Sequence, residues 1–188
     1  AVAETPAIYD IRLGRGWDGE FKGLSPDERR RTVWKFYSEK RICPDSLDGD
    51  VKFVRGKDGR LTADFAAYDR LAAEYFEEFK FPVSYTPRMF YCFGWGMPPK
   101  KLLGEQPYEG AWPFEGADRA KLRPAYVKAY QDALRLYWNH MKEKGWAAKL
   151  VLYISDEPHF AVPAVRDQMI ALCRMIHEVD PAIRIYSS

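Results

Sequence analysis

The sequence predicts an α/β fold of the (β/α)8 TIM-barrel type, incomplete, and three observations carry that expectation. Leu150, Val151, Leu152, Tyr153 and Ile154 form a short apolar run rich in β-branched and aromatic residues, the pattern of a buried parallel strand. The run stops at Ser155 and delivers two adjacent carboxylates, Asp156 and Glu157, before Pro158 ends the ladder. Acidic residues at the C-terminal end of a buried strand are what a barrel active site requires, because the loops at that face build the pocket. Finally, strand-like and helix-like segments alternate four times and one more strand follows, which predicts a parallel sheet with right-handed crossovers. A closed barrel needs eight such units and about 250 residues. The 188 residues therefore read as a single partial barrel catalytic domain, about four βα units plus one strand.

Each element has its own signal. Residues 7–13 alternate as a first strand, and a Gly-rich loop with Trp17 follows. Ser25, Pro26 and Glu28 stand at the N-cap, first helical and capping-box positions of a helix whose apolar face holds Val33, Phe36 and Tyr37. Arg41-Ile42-Cys43 is a short second strand ended by Pro44. Between Val51 and Leu61 two β-like pieces flank Lys57-Asp58-Gly59, a hairpin signal. Asp64 is the expected N-cap of the next helix, where Phe65, Tyr68, Leu71, Ala72, Tyr75, Phe76 and Phe79 keep helical spacing. Residues 83–93 are the third strand. The Pro/Gly/Trp-rich segment 94–116 is long enough to be a functional lid or binding loop. A helix from about Pro124 to Lys144 stops at Gly145, the strand 149–155 follows, a helix through Val165 and Ile176 ends before Pro181, and 183–186 is the last strand.

Composition narrows the classes. The chain is 47% hydrophobic and 30% charged with a net charge of +2, and acids and bases are interleaved, so Arg29-Arg30-Arg31 beside Asp27-Glu28 reads as a solvated helix face and not as a nucleic-acid patch. Three scattered cysteines (Cys43, Cys92, Cys173) form no CxxC pair, against a disulfide scaffold or zinc knuckle. No apolar run reaches membrane-spanning length, and neither a dinucleotide glycine fingerprint nor a P-loop follows any strand. Six Trp and twelve Tyr suit either a core or sugar-stacking platforms. His159 beside Asp156 and Glu157 makes an awkward metal triad within four residues, and His140 and His177 lack ligand spacing, so no metal and no cofactor is expected.

On local pattern alone, Asp156 and Glu157 could be a turn cap and a solvated acid, or a catalytic pair. The passage Tyr137-Trp138-Asn139-His140-Met141-Lys142-Glu143-Lys144-Gly145-Trp146, a spacer, then Leu152-Tyr153-Ile154-Ser155-Asp156-Glu157-Pro158 resembles glycoside hydrolase family 123. Looser similarity runs from about Tyr9 through Phe36-Tyr37 and Arg41-Ile42-Cys43-Pro44. That resemblance implies a β-N-acetylgalactosaminidase-like activity on a glycan or glycoconjugate, a (β/α)8 barrel paired with an N-terminal β-sandwich in a full-length parent, and secretion or a periplasmic location. It also implies that the adjacent Asp156 and Glu157 perform the chemistry.

Neighbours on one strand end are poorly placed to attack a sugar from opposite faces, as ordinary retaining and inverting glycosidases do. A 2-acetamido sugar removes that need, because its own carbonyl oxygen can attack the anomeric carbon. Glu157 would then serve as general acid and later base, and Asp156 would orient the acetamido group. Trp95, Trp112 and Tyr153 are the candidate sugar contacts, while Arg12 and Arg41 suit surface ion pairs equally well. Two rivals stand beside this reading: a glycosidase of another specificity with its second carboxyl at Asp10 or Glu105, and a non-catalytic carbohydrate-binding relative.

Overall fold

The computed structural model describes residues 23–188 together with the backbone of Ile8 and Tyr9. The rest of the first expected strand, with Asp10, Arg12 and the loop holding Trp17, lies outside the described residues. Strand β1 (Ile8–Tyr9) pairs in parallel with β2 (Cys43–Pro44), and the antiparallel hairpin β3 (Lys52–Arg55) and β4 (Leu61–Asp64) stands apart. Strand β7 (Leu150–Asp156) is the hub of a four-stranded parallel sheet. It pairs with β5 (Ser84–Tyr85), β6 (Phe93–Gly94) and β8 (Ile185–Ser187). The Tyr85 N–H donates to the Asp45 carbonyl at 2.7 Å, which ties the chain just after β2 to β5. Among the described residues the result is a mixed α/β fold of alternating strands and helices, and no sheet closes into a barrel.

Local chemistry explains the helix limits. Helix α1 (Pro26–Lys40) starts with a complete Ser25–Glu28 capping box and stops at Arg41, whose left-handed backbone (φ 57°) turns the chain into β2. Helix α2 (Ala66–Ala73) runs on into a π-helical turn, Glu74–Glu78. Asp64 is the last residue of β4 and not the N-cap. Its carboxylate accepts the Ala66 N–H at 3.0 Å from one position further out, so strand end and helix start share one side chain. Helix α3 (Pro124–Glu143) ends at Gly145, where φ is 73° and the Trp146 N–H closes back on the Met141 carbonyl at 2.9 Å. Helix α4 (Pro163–His177) completes the set. No helix among the described residues is long and apolar enough to cross a membrane.

The expected third strand, 83–93, is broken. Pro87 supplies no N–H for a ladder, a 3₁₀ turn (Arg88–Phe90) lifts the chain away from β7, and Phe90 is fully buried at the turn. Pairing resumes at Phe93, so β5 and β6 contact the start and the end of β7.

Most of the aromatic excess is core. Tyr68, Tyr75, Tyr126, Tyr130 and Tyr137 are buried, as are Trp34, Trp138 and Trp146. Their polar ends hold separate segments together. The Tyr68 and Tyr137 hydroxyls lie 2.6 Å apart between α2 and α3, and Tyr130 donates to the Phe90 carbonyl at 2.7 Å. The Tyr75 hydroxyl lies 2.8 Å from the Pro44 carbonyl and 2.9 Å from that of Val83, so one side chain fastens β2 to the start of β5. Burial pushes its ionisation well above the ordinary tyrosine value.

Two stability predictions follow from these contacts. The Tyr75 hydroxyl shares those two carbonyls with the Cys43 thiol, 3.3 and 3.4 Å away, so Tyr75→Phe leaves a single donor for the two and should cost about 1–3 kcal/mol in urea unfolding. Tyr186→Phe, at a residue 43% exposed, should stay within about 0.5 kcal/mol. Equal effects would remove Tyr75 from this role. The second prediction concerns Asp69, whose carboxyl oxygens lie 2.7 Å from His140 Nε2 and 2.8 Å from Lys144 Nζ. Partial burial works against its charge, but the Lys144 and His140 bonds outweigh that and hold its pKa below the usual value. The stabilisation is therefore complete above the unfolded-state value of about 3.9 and is lost as pH falls through the lower folded value. Melting temperatures recorded from pH 5 downward should fall less steeply for Asp69→Asn than for the wild type. Parallel curves would show the pair to be inert.

Candidate active site

Alternation along β7 sends Leu150, Leu152 and Ile154 into the core and turns Tyr153 to the other face of the sheet. There its ring meets three other tyrosines. It stacks on Tyr85 with centroids 4.9 Å apart, and Tyr91 and Tyr186 lie at 5.4 and 5.6 Å. Toward the end of the strand the pairing with β8 slips: Tyr153 faces Tyr186, but Ser155 faces Ser187, so two steps on β7 match one on β8. Such a bulge re-aims the residues that follow it. Ser155 is consequently buried beside Ile154, its hydroxyl 2.8 Å from that of Ser187, and Asp156 and Glu157 emerge at the rim.

The two carboxylates have different surroundings. Asp156 is half-buried, and its Oδ1 accepts the Ser188 hydroxyl at 2.9 Å. The same Ser188 oxygen lies 2.8 Å from the Tyr153 hydroxyl. Because the serine proton is given to the carboxylate, the phenol must donate to the serine, and a directed chain runs from Tyr153 through Ser188 to Asp156. The Tyr153 phenol is pushed up to about 12, chiefly by burial; the Ser188 bond works against that rise and the neighbouring Asp156 carboxylate adds to it. Tyr91 is also raised by burial and by Asp156.

Glu157 is exposed, and its Oε2 accepts the Trp95 indole N–H at 3.0 Å. Its own N–H donates to the Ser188 carbonyl at 2.9 Å, so the residue just past β8 braces both members of the pair. Glu157 and Trp95 both adopt left-handed backbone, with φ of 42° and 52°. Neither is glycine, and each such residue costs on the order of 1–3 kcal/mol that surrounding bonds must offset. The Trp95 N–H donates to the Asp156 carbonyl at 2.7 Å, immediately beyond the Gly94–Asp156 pair. A Cβ at Gly94 would stand 2.9 Å from the Tyr91 hydroxyl oxygen, so a larger residue there would push that phenol aside.

Of the residues singled out in the sequence, the structure thus links Trp95 with Glu157 and Tyr153 with Asp156. Trp112, also on the long loop and 56% exposed, has no hydrogen bond or ring contact joining it to the pair. Arg41 serves as the α1 cap, Glu105 forms an isolated bridge with Leu102 in the loop, and Asp10 lies outside the described residues. The loop itself is fastened down. Buried Gln168 on α4 donates to the Met97 carbonyl at 2.9 Å, and Arg119 donates to that of Gly96 at 2.6 Å. Sequence reasoning missed Ser188, Ser187 and Tyr91. The serines could have been found by asking what lies beside Asp156 in a parallel neighbour, just past the last apolar strand. Nothing marks Tyr91 before the 3₁₀ turn is known.

Hollows along α4 (Met169, Ile170, Cys173) and near Trp138 and Arg184 contain neither carboxyl. Among the described residues no group of three or more His, Cys, Asp or Glu side chains could hold a metal ion.

The catalytic domain of glycoside hydrolase 123 matches residues 35–188, which takes in every described element from the middle of α1 to the end of β8. No curated protein matches the chain. With the family covering most of its length, including the strand that carries Asp156 and Glu157, the chain belongs to the glycoside hydrolase 123 family through its catalytic domain.

Proposed function

We propose that this domain hydrolyses terminal β-linked N-acetylhexosamine, foremost N-acetylgalactosamine, by neighbouring-group participation with retention of configuration. The observation that carries the reading is the adjacency of Asp156 and Glu157 at one strand end within a glycoside hydrolase 123 domain, each with its own hydrogen-bond partner. In the first step the substrate's acetamido oxygen bonds to the anomeric carbon while the glycosidic bond breaks. Glu157 passes its proton to the departing oxygen. Asp156, kept an acceptor by Ser188, takes a hydrogen bond from the acetamido N–H and balances the charge of the oxazolinium ion. Water then attacks the anomeric carbon from the face vacated by the leaving group. Glu157 removes its proton, and the ring opens to return the acetamido group. Two inversions at one carbon give retention.

Family membership further supports placing the open sheet in a (β/α)8 barrel that additional strands complete, alongside a β-sandwich domain. Those strands would wall the exposed rim and supply the remaining sugar contacts. Tyr153 and its aromatic neighbours offer a face for the sugar, and Trp112 a reach from the loop.

The test pairs an aryl β-N-acetylgalactosaminide with the matching aryl β-galactoside in the completed barrel. Cleavage of the acetamido substrate alone is expected. Asp156→Asn should lower kcat by about 10²–10³-fold, and Glu157→Gln by about 10²–10⁴-fold on a poor leaving group. Hydrolysis of the plain galactoside would instead favour a glycosidase whose second carboxyl lies elsewhere. Turnover of neither sugar would favour a binding relative.

A further inference from the structure

We propose that Trp95 is a positioning residue for Glu157, its indole N–H deciding which carboxyl oxygen carries the proton that is transferred. The inference rests on the reading of Glu157 as general acid and deepens it. Trp95 and Glu157 are the residues that follow the last paired positions of β6 and β7, Gly94 and Asp156, so they leave the sheet side by side. Both turn away through left-handed backbone, at 52° and 42°. A matched pair of such turns brings a loop side chain across to the strand end.

Among the described residues, Trp95 is the only side chain hydrogen-bonded to Glu157. The indole N–H can only donate, and the carbonyl-type oxygen of a protonated carboxyl is its stronger acceptor, so Oε2 is favoured as that oxygen and the proton of the acid form is favoured on Oε1. Without that contact an exposed glutamate would rotate among several conformers and present either oxygen. The support behind Trp95 is firm: its backbone N–H is held by the Asp156 carbonyl at 2.7 Å. The next two residues are held by Arg119 at the Gly96 carbonyl and by the fully buried Gln168 at the Met97 carbonyl. A ring that only stacked on sugar would not need its N–H aimed at the carboxyl.

Trp95→Phe keeps an aromatic face and removes the N–H, and at a residue 56% exposed it should not disturb folding. In the completed barrel, kcat/KM for an N-acetylgalactosaminide with an alkyl leaving group, which needs protonation in the first step, should fall about ten-fold or more. For a dinitrophenyl leaving group, which departs without a proton, the change should stay within about two-fold. Equal losses on both substrates, or a change in KM alone, would overturn the inference in favour of sugar stacking. A measurement independent of turnover is the indole ¹H–¹⁵N resonance of Trp95, assigned by its disappearance in Trp95→Phe. Glu157→Gln should displace it, and an unmoved resonance would also overturn the inference. Glu157→Gln assayed on the same two substrates separates the two ideas. If it lowers kcat/KM, which reports the first step before Glu157 acts as base, equally for both, the acid assignment itself fails. If it slows only the alkyl glycoside while Trp95→Phe does not, only the positioning role fails.

Discussion

Strand β7 is hydrogen-bonded along both edges and packed on one face, and the placement of every group at the carboxyl rim depends on that constraint. Its start is held by β5, its end by β6, and its other edge by β8. Leu150, Leu152 and Ile154 are sealed in the same core cluster as residues of α3 and α4. A strand with no free edge cannot slide, since a one-residue shift would carry those side chains out of the core. The single irregularity, the slip opposite β8, therefore falls just before Asp156 and Glu157 and aims them.

The neighbours then divide the labour. From one side the residue after β8, Ser188, serves Asp156 with its hydroxyl and the Glu157 N–H with its carbonyl. From the other, the residue after β6, Trp95, serves Asp156 through its backbone and Glu157 through its indole. Two chemically similar acids thus acquire different surroundings: a half-buried one at the end of a hydroxyl chain, and an exposed one beneath an indole. Different tasks for paired carboxyls require differences of this kind.

Tyrosine performs two functions in the molecule. Where the ring is sealed between layers, as at Tyr68, Tyr75, Tyr130 and Tyr137, the hydroxyl finds a buried partner and ties segments distant in sequence. Where the ring faces away from the helices, as at Tyr85, Tyr153 and Tyr186, it joins an aromatic sheet surface that ends at Asp156. The loop after β6 follows a similar logic. It is long and poor in regular structure, yet Gln168, Arg119 and Tyr108 give its polar backbone partners inside the fold.

What the sequence determined by itself was whatever short-range chemistry dictates. The capping box at Ser25, the stop at Gly145, the Lys57–Gly59 hairpin and the buried run of β7 all rest on neighbours within a few residues, and all appear where those neighbours require. The acids at the end of β7 were legible for the same reason, as was the family to which they belong. Tertiary structure decided what depends on partners far along the chain. The break between β5 and β6 reflects Phe90 being drawn into the core and Tyr130 taking its carbonyl. The roles of Ser188 and Trp95 arise from parallel register, which brings residues 32 and 62 positions away to the same rim. Register is a property of the assembled sheet, and no local pattern encodes it.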